Sequence, residues 1–300
     1  MSDPLDDFFK QEETTLIFDL SNMAYRALHA VIYATPTDNG KFELWKHTFI
    51  NSLFSVIGKF EPNKVIFAGD GKGNWRYDVY KEYKCKRHID RAKSPIQFDK
   101  FFVVFDELLT DIQRTFTNIV LIKEEKTEAD DVISILSREI KNDNIIIVSS
   151  DRDLNQLLTP KVRQYKPITE TFVESINPYK DLQIKILAGD SGDSIPPIRP
   201  KCGPKTSAKI LESGLEEYLA TDQILKSNWE RNKQLIDLKC IPSEIVTIVI
   251  NKFKNYDISP IDPSIIFKFF TKHRLQKLIS NWNIIGEKIK KLHNNGTISK

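Results

Sequence analysis

The chain has 300 residues, of which 40% are hydrophobic and 28% are charged, and its formal net charge is +3. This length and composition are typical of a globular protein with a substantial core in one or two domains. No apolar run approaches the length of a membrane-spanning helix, so no membrane partner is expected. The three cysteines, Cys85, Cys202 and Cys240, form no CxxC pair, which argues against a disulfide framework or zinc site and favours a reducing cytoplasmic setting.

The chain begins with an acidic segment. Residues 1–13, MSDPLDDFFKQEE, lack the basic start and the apolar core of a signal peptide. We expect a short, poorly ordered arm ahead of the first strand.

Strands and helices alternate along the next part of the chain. Four short runs rich in Ile, Val and Phe are predicted as buried parallel strands, at residues 14–20, 64–70, 144–151 and, more weakly, 118–125. Apolar residues at helical spacing lie between them, at residues 45–60, 98–116 and 128–142. This alternation predicts an α/β domain with a mainly parallel central sheet and flanking helices, over residues 14–178.

The pattern changes after residue 178. Prolines cluster between residues 196 and 204, and helical patterns without further clear strands follow to the end. A smaller helical domain is therefore predicted over residues 179–300.

Nine acidic residues stand where predicted strands end or where predicted helices begin. The carboxyl ends of parallel strands form one ligand crevice, so the acids that follow different strands are expected to converge there. The nine acids are Asp19, Asp70, Glu128, Asp130, Asp131, Asp151, Asp153, Asp190 and Asp193.

Each of these acids also has a simpler interpretation. A lone Asp after a strand, such as Asp19 or Asp70, is often a helix N-cap. Acids in the first turn of a helix, as in EADD, suit the helix dipole, and GDSGDS could be an ordinary polar turn. Nine acids at such positions are hard to attribute to capping alone.

Electrostatics favours a metal site. Two carboxylates 4 Å apart repel by about 4 kcal/mol at an effective dielectric constant near 20, and a divalent cation relieves that repulsion. Oxygen ligands with no Cys or His nearby favour Mg²⁺, with Mn²⁺ as the alternative, over zinc. More than four carboxylates indicates two ions, which together clamp the attacking and leaving oxygens of a phosphodiester.

A basic segment directly follows Asp70. Residues 72–93 contain eight Lys or Arg against three acids, with Trp and Tyr interleaved. Cations neutralise nucleic-acid phosphates and aromatic faces stack on unpaired bases, so the segment is predicted to bind nucleic acid, through Arg76, Lys81 and Lys86 among others. The alternative is a solvated amphipathic helix whose aromatic residues face the core.

Six motifs in a fixed order carry a family resemblance. Asp19 ends the first strand, and the motifs that follow read FAGD, W-R-x-x-V…Y-K-x-x-R, EADD, SSDRD and GDSGDSI. In this order the chain resembles the flap-endonuclease superfamily of 5′-nucleases, and within it the bacteriophage RNase H branch. The resemblance covers roughly residues 14–215 and implies a PIN-like catalytic domain.

The resemblance assigns roles to the acids. It implies two-metal phosphodiester hydrolysis that leaves 5′-phosphate and 3′-hydroxyl ends. The first metal would be surrounded by Asp19, Asp70, Asp130 and Asp151, with Glu128 and Asp153 close by. The second would be reached by Asp131, Asp190 and Asp193.

The resemblance also assigns the nucleic-acid contacts. Lys84 and Arg87 would contact the scissile phosphate, and Tyr83 would stack near the reacting nucleotide. Residues 72–93 would form an arch that gates a single-stranded 5′ end.

A helix-three-turn-helix is implied at about residues 183–212. Its turn would contact duplex phosphates at Gly203, Lys205 and Thr206. Pro200 and Lys201 replace the earlier glycine of the family's turn, so the potassium ion (K⁺) found there in many relatives stays open.

The resemblance implies a Mg²⁺-dependent 5′→3′ exonuclease and flap endonuclease that removes RNA primers and 5′ flaps during phage lagging-strand DNA replication. Its substrates would be branched or nicked duplex DNA and RNA–DNA hybrid with a 5′ end. A monomer in the cytoplasm of the infected host cell is expected, with a single-stranded-DNA-binding protein and a sliding clamp as further partners. Two alternatives remain open: a PIN-type ribonuclease, and a non-catalytic structure-specific DNA-binding protein.

Overall fold

A computed structural model describes residues 13–34, 37–141, 143–259 and 262–280. The predicted N-terminal arm, apart from its last residue, and the last twenty residues of the predicted helical region lie outside these ranges.

The described part of the chain contains a six-stranded sheet in the order β3-β2-β1-β4-β5-β6. All neighbouring strands are parallel except β5 and β6, so the prediction of a mainly parallel sheet is confirmed. The strands are β1 (Thr14–Asp19), β2 (Lys64–Ala68), β3 (Val120–Ile122), β4 (Asn144–Val148), β5 (Val162–Lys166) and β6 (Thr171–Phe172).

Two of these strands escaped prediction because they lack an apolar run. The sequence of β5 is VRQYK, and its buried Gln164 is tolerated because the side-chain amide donates to the carbonyl oxygens of Ser149 and Asp151. The β6 strand is only two residues long.

Helices flank the sheet on both faces. The predicted helices at 45–60, 98–116 and 128–142 correspond to α2, α5 and α6, whereas α1 was not predicted. The helices before residue 178 are α1 (Leu20–Val31), α2 (Asp38–Phe60), α3 (Arg76–Val79), α4 (Lys86–Ala92), α5 (Phe98–Thr115) and α6 (Ala129–Glu139), with a 3₁₀ helix, η1 (Asp153–Leu157).

The later described residues are helical, as predicted. The helices are α7 (Pro178–Ala188), α8 (Pro204–Ser213), α9 (Leu215–Ala220), α10 (Gln223–Ile236), α11 (Ser243–Lys254), α12 (Pro263–Lys272) and α13 (Gln276–Ser280). None of the described helices is both long and apolar enough to cross a bilayer. All three cysteines are free.

Alternate residues of each strand enter different cores. Phe18 and Phe67 face the core shared with α1, α2 and α5, whereas Ile17 and Ile66 face the core shared with α6. This alternation is what a parallel sheet covered on both faces requires.

The C-terminal helices complete both cores. Val249 of α11 packs in the core on the α6 side, and Phe269 and Phe270 of α12 pack in the other. The predicted domain boundary at 178–179 coincides with the start of α7. Helices beyond it share the cores of the sheet, so the division into two domains stays a prediction.

Replacing Phe270 by Ala tests this shared core. Phe270 is 1% exposed, so we expect a loss of about 3–5 kcal/mol in the free energy of unfolding. The matched control is Phe267→Ala on the same helix, because Phe267 is 58% exposed and its loss should change the value by less than about 0.5 kcal/mol. Urea unfolding followed by circular dichroism measures both, and equal losses would contradict a shared core.

Candidate active site

Acidic side chains converge at the edge where the parallel strands end. Asp19 ends β1, Asp70 follows β2 and Asp151 follows β4. They line a cavity of about 390 Å³, here called the acidic cleft. Its carboxylates are Asp19, Asp70, Glu128, Asp130, Asp151, Asp153, Asp190 and Asp193. The structure thus brings together eight of the nine predicted metal ligands.

Asp19 serves both the fold and the cleft. Its Oδ1 accepts a hydrogen bond of 2.9 Å from the backbone N–H of Asn22 and so caps α1. Its Oδ2 accepts one of 2.8 Å from the hydroxyl of Ser149. The capping interpretation is therefore correct for Asp19, and it does not exclude a role in the site.

Asp70 is placed in a similar way. Its Oδ1 accepts a hydrogen bond of 2.8 Å from the backbone N–H of Ala129, the first residue of α6, while its side chain remains exposed to the cleft. One oxygen thus ties β2 to the start of α6.

Crowding of these carboxylates changes their ionisation. Burial, with added repulsion from Asp70 and Asp151, raises the pKa of Asp19 to about 7. Burial and the charges of Asp151 and Asp19 raise the pKa of Asp130 well above its usual range. Without a cation, the cleft therefore keeps protons near neutral pH.

A second group of acids lies beside the first. One oxygen each of Asp153, Asp190 and Asp193 lies within 4.8 Å of the others, a spacing that a metal ion could bridge. Lys185 of α7 forms an ion pair with Asp153 and another of 2.8 Å with Asp190. Nothing in the sequence singled out Lys185, because one lysine within a helix carries no signal of its own.

Lys84 and Arg87 reach the cleft as predicted. Lys84 forms an ion pair with Glu128, and Arg87 forms one of 2.7 Å with Asp193. Burial acts to raise the pKa of Glu128, but the charges of Lys84 and Arg76 hold it at about 2. Glu128 therefore remains ionised without a metal.

The position of Tyr83 corrects one prediction. Tyr83 is only 4% exposed, so its ring offers no open face for a nucleotide to stack on. Its hydroxyl instead hydrogen bonds to Glu128 at 3.0 Å and to Asp193 at 3.2 Å. Tyr83 thus orients two acids of the cleft.

Asp131 and Arg76 are also corrected. Asp131 is fully buried outside the acidic cleft, and Arg76 is 2% exposed, so neither the metal role nor the nucleic-acid role fits. The guanidinium donates to both oxygens of Asp131 at 2.8 and 3.1 Å, and the indole N–H of Trp75 donates to Asp131 at 3.1 Å. The carboxylate also accepts from the backbone N–H of Glu128 at 2.9 Å, so its oxygens are occupied.

Helix α1 adds residues that the sequence analysis missed. Asn22, Tyr25, Arg26 and His29 all line the acidic cleft, with Arg26 and His29 exposed. The expectation that no histidine lies nearby is therefore wrong. The spacing of these residues along one helical face was the available signal, but α1 itself was not predicted.

The remaining predicted contacts lie on the surface. Lys81, Lys86 and Lys205 are exposed, and Gly203 and Thr206 are half-buried at the start of α8. Their roles stay predictions.

Profiles of two protein families match the chain. The profile described as 5′-3′ exonuclease, N-terminal resolvase-like domain, matches residues 14–184, and the one described as T4 RNase H, C terminal, matches residues 207–285. The Ribonuclease H of Enterobacteria phage T4 is 26% identical over 93% of this chain and 97% of its own length. The DNA polymerase I of Rhizobium leguminosarum is 28% identical over 72% of this chain, which corresponds to only 22% of the polymerase.

A solved structure has the same fold. The bacteriophage T5 flap endonuclease, in a pseudo-enzyme-product complex with DNA and metal ions, gives a TM-score of 0.59 over 87% of this chain and 98% of its own, at 18% identity. At that identity the likeness concerns the fold.

Replacing Arg76 by Met tests its structural role. The variant leaves the buried Asp131 without its cation, so we expect the free energy of unfolding to fall by about 3–5 kcal/mol. The control is Lys81→Met in the same segment. Because the side chain of Lys81 is 83% exposed, we expect the free energy of unfolding to change by less than about 0.5 kcal/mol. Urea unfolding measures both, and an undiminished stability with weakened DNA binding would restore the original prediction for Arg76.

The pH dependence of stability tests the crowding of acids. Asp19 has a pKa of about 7 in the folded protein against 3.8 in the unfolded chain. Its protonation therefore adds to the free energy of unfolding in acid, and this stabilisation is lost as the pH rises through 7. In EDTA, we expect the Tm of the wild type to fall by several degrees more between about pH 5.5 and about pH 8.5 than that of Asp19→Asn, which cannot titrate. Parallel Tm profiles for the two proteins would show that Asp19 titrates normally.

Proposed function

The chain belongs to the 5′-3′ exonuclease family, and from that premise we propose that it is a Mg²⁺-dependent 5′→3′ exonuclease and flap endonuclease with RNase H activity. It would remove RNA primers and 5′ flaps by two-metal phosphodiester hydrolysis. The observation that carries the proposal is the acidic cleft, in which eight carboxylates are accompanied by Lys84 and Arg87.

The carboxylates of the cleft fit hard divalent ions, and among the described residues His29 is not part of the group close enough to share one ion. Carboxylate oxygens are the ligands that Mg²⁺ prefers, with Mn²⁺ as a substitute, and a cation would relieve the repulsion that raises the pKa values of Asp19 and Asp130. Two such ions would stabilise the attacking and leaving oxygens of an in-line displacement. One ion would be held by Asp19, Asp70, Asp130 and Asp151, with Glu128 close by. The other would be held by Asp153, Asp190 and Asp193.

Lys84 and Arg87 supply the positive charge for the scissile phosphate. Lys84 is mostly buried between Glu128 and Asp193, so its ammonium is held at a fixed place beside the cleft. Arg87 is about half exposed and forms an ion pair with Asp193 at the edge of the cleft. A guanidinium can hold two phosphate oxygens at once, whereas an ammonium acts as a point charge, so the two residues would fix the phosphate and neutralise it.

Duplex DNA would be held beside the cleft by α7, α8 and the loop between them, as the predicted helix-three-turn-helix. Gly203 precedes α8, and a Cβ there would meet no atom within 4 Å, so its backbone is open to a ligand. A helix N-terminus with Lys205 and Thr206 in its first turn suits a phosphate. The potassium ion stays a prediction.

The similarity to these relatives supports a biological setting that we propose. The Ribonuclease H of phage T4 spans nearly the same length as this chain, and part of the DNA polymerase I of Rhizobium leguminosarum is similar to it. We therefore place the activity in phage lagging-strand synthesis in the cytoplasm of the infected cell. A monomer that works with a single-stranded-DNA-binding protein and a sliding clamp is part of this proposal.

The double variant Asp151→Asn/Asp153→Asn tests the proposal. Because each change removes one charge from the acidic cleft, Mg²⁺-dependent cleavage of a 5′-labelled flap should fall by about a thousandfold or more, while duplex binding survives. The control is Asp99→Asn, an exposed acid of α5, which should retain full activity. Product lengths on flapped, nicked and primer-bearing duplexes are measured on a sequencing gel.

Each other outcome has a definite meaning. Full activity of the double variant would refute the two-metal assignment. Cleavage of single-stranded RNA in preference to the flap would indicate a PIN-type ribonuclease. Duplex binding without any Mg²⁺-dependent product from the wild type would indicate a non-catalytic DNA-binding protein.

A further inference from the structure

Lys185 is a cation of the active site that the mechanism above does not use. It lies on α7, three residues before that helix ends, and its side chain is 27% exposed. Its ammonium forms ion pairs with Asp153 and with Asp190, two carboxylates that come from separate parts of the chain. Lys185 therefore joins α7 to η1 and to the loop that follows α7.

The place that Lys185 occupies coincides with the proposed second metal position. Asp153, Asp190 and Asp193 form the group whose oxygens lie within 4.8 Å of one another, and the ammonium contacts two of the three. Asp190 Oδ1 already accepts from the backbone N–H of Gly192 at 2.8 Å. The ammonium takes Oδ2, the oxygen that remains for a cation.

The backbone fixes this arrangement. Gly189 ends α7 with a φ of 69°, and a Cβ there would lie 2.5 Å from the carbonyl oxygen of Ile195. Asp190 and Ile195 exchange backbone hydrogen bonds of 2.9 and 2.7 Å, which turn the loop back over the end of α7. Asp190 is thus held close to Lys185, so their contact does not depend on a freely moving loop.

We propose that Lys185 is a built-in counter-cation of the second metal position, whose ammonium neutralises Asp153 and Asp190 in the metal-free protein and must be displaced when a divalent ion binds there. The inference rests on the proposed two-ion function. A cation that must be displaced lowers the affinity for the incoming ion, because both compete for the same oxygens. Lys185 therefore lowers the affinity for the second ion more than the affinity for the first. When no ion is bound, it stabilises the arrangement of Asp153 and Asp190.

A purely structural ion pair makes a different prediction. If Lys185 only held α7 against η1, its loss would loosen the three carboxylates, and the second ion would bind the variant no better than the wild type. If Lys185 is a competing cation, its loss tightens the second ion. The two roles therefore predict different directions of change in metal affinity.

Mn²⁺ titration by isothermal calorimetry without DNA distinguishes them. The replacement Lys185→Met removes the charge and keeps a long unbranched side chain. We expect this variant to bind the second Mn²⁺ about tenfold tighter than the wild type, with a smaller change for the first. Lys185→Arg keeps the charge and should stay within about threefold of the wild type. The matched control is Lys180→Met on the same helix, whose lysine is 46% exposed and pairs with Glu212, and it should leave both affinities unchanged.

Thermal unfolding gives an independent readout. In EDTA, the Tm of Lys185→Met should lie below that of the wild type, because Asp153 and Asp190 then repel each other without a cation. Saturating Mn²⁺ should raise the Tm of this variant by more than it raises that of the wild type.

The inference is overturned if the second Mn²⁺ binds Lys185→Met no tighter than the wild type, or if Lys180→Met tightens it equally. Failure of the proposed function looks different. In that case the replacement Asp151→Asn would remove no Mn²⁺ binding that the wild type shows.

Discussion

Repulsion among carboxylates at one edge of the sheet is the constraint on which the rest of the site depends. Parallel strands end on the same side, so acids that follow β1, β2 and β4 share one cleft. The protein meets this repulsion by several means: burial and neighbouring charges raise the pKa of Asp19 to about 7 and that of Asp130 well above its usual range, while Glu128 stays charged beside Lys84. The site is thus prepared for cations and remains folded without them.

The buried ion pair of Arg76 and Asp131 forms a structural frame beside this site, because it holds several segments of the chain together. Arg76 also donates to Glu128 at 3.0 Å and to the carbonyl oxygen of Leu235 at 3.0 Å, so one side chain joins the basic segment, α6 and the C-terminal region. Breaking a buried ion pair leaves an uncompensated charge, which makes the frame costly to disturb. Lys84 and Tyr83 follow Arg76 in the same segment, and all three side chains contact Glu128.

The C-terminal helices belong to the same frame. Helices α11 and α12 cover opposite faces of the sheet, and α10 supplies the carbonyl that receives Arg76. Two family profiles divide the chain, but the cores run across the division. Residues beyond 178 therefore stabilise the catalytic edge as well as extending the surface that would meet DNA.

The sequence by itself determined the α/β class, four of the six strands and eight acids of the cleft, because hydrophobic periodicity and strand ends are local properties. It failed for Arg76 and Asp131, which look like neighbours of the site and are instead partners in the interior. It also passed over Lys185, whose acidic partner Asp153 lies 32 residues away along the chain. Only the tertiary structure decided these roles, because whether a charge is solvated, paired or free to bind an ion depends on the side chains that folding brings against it.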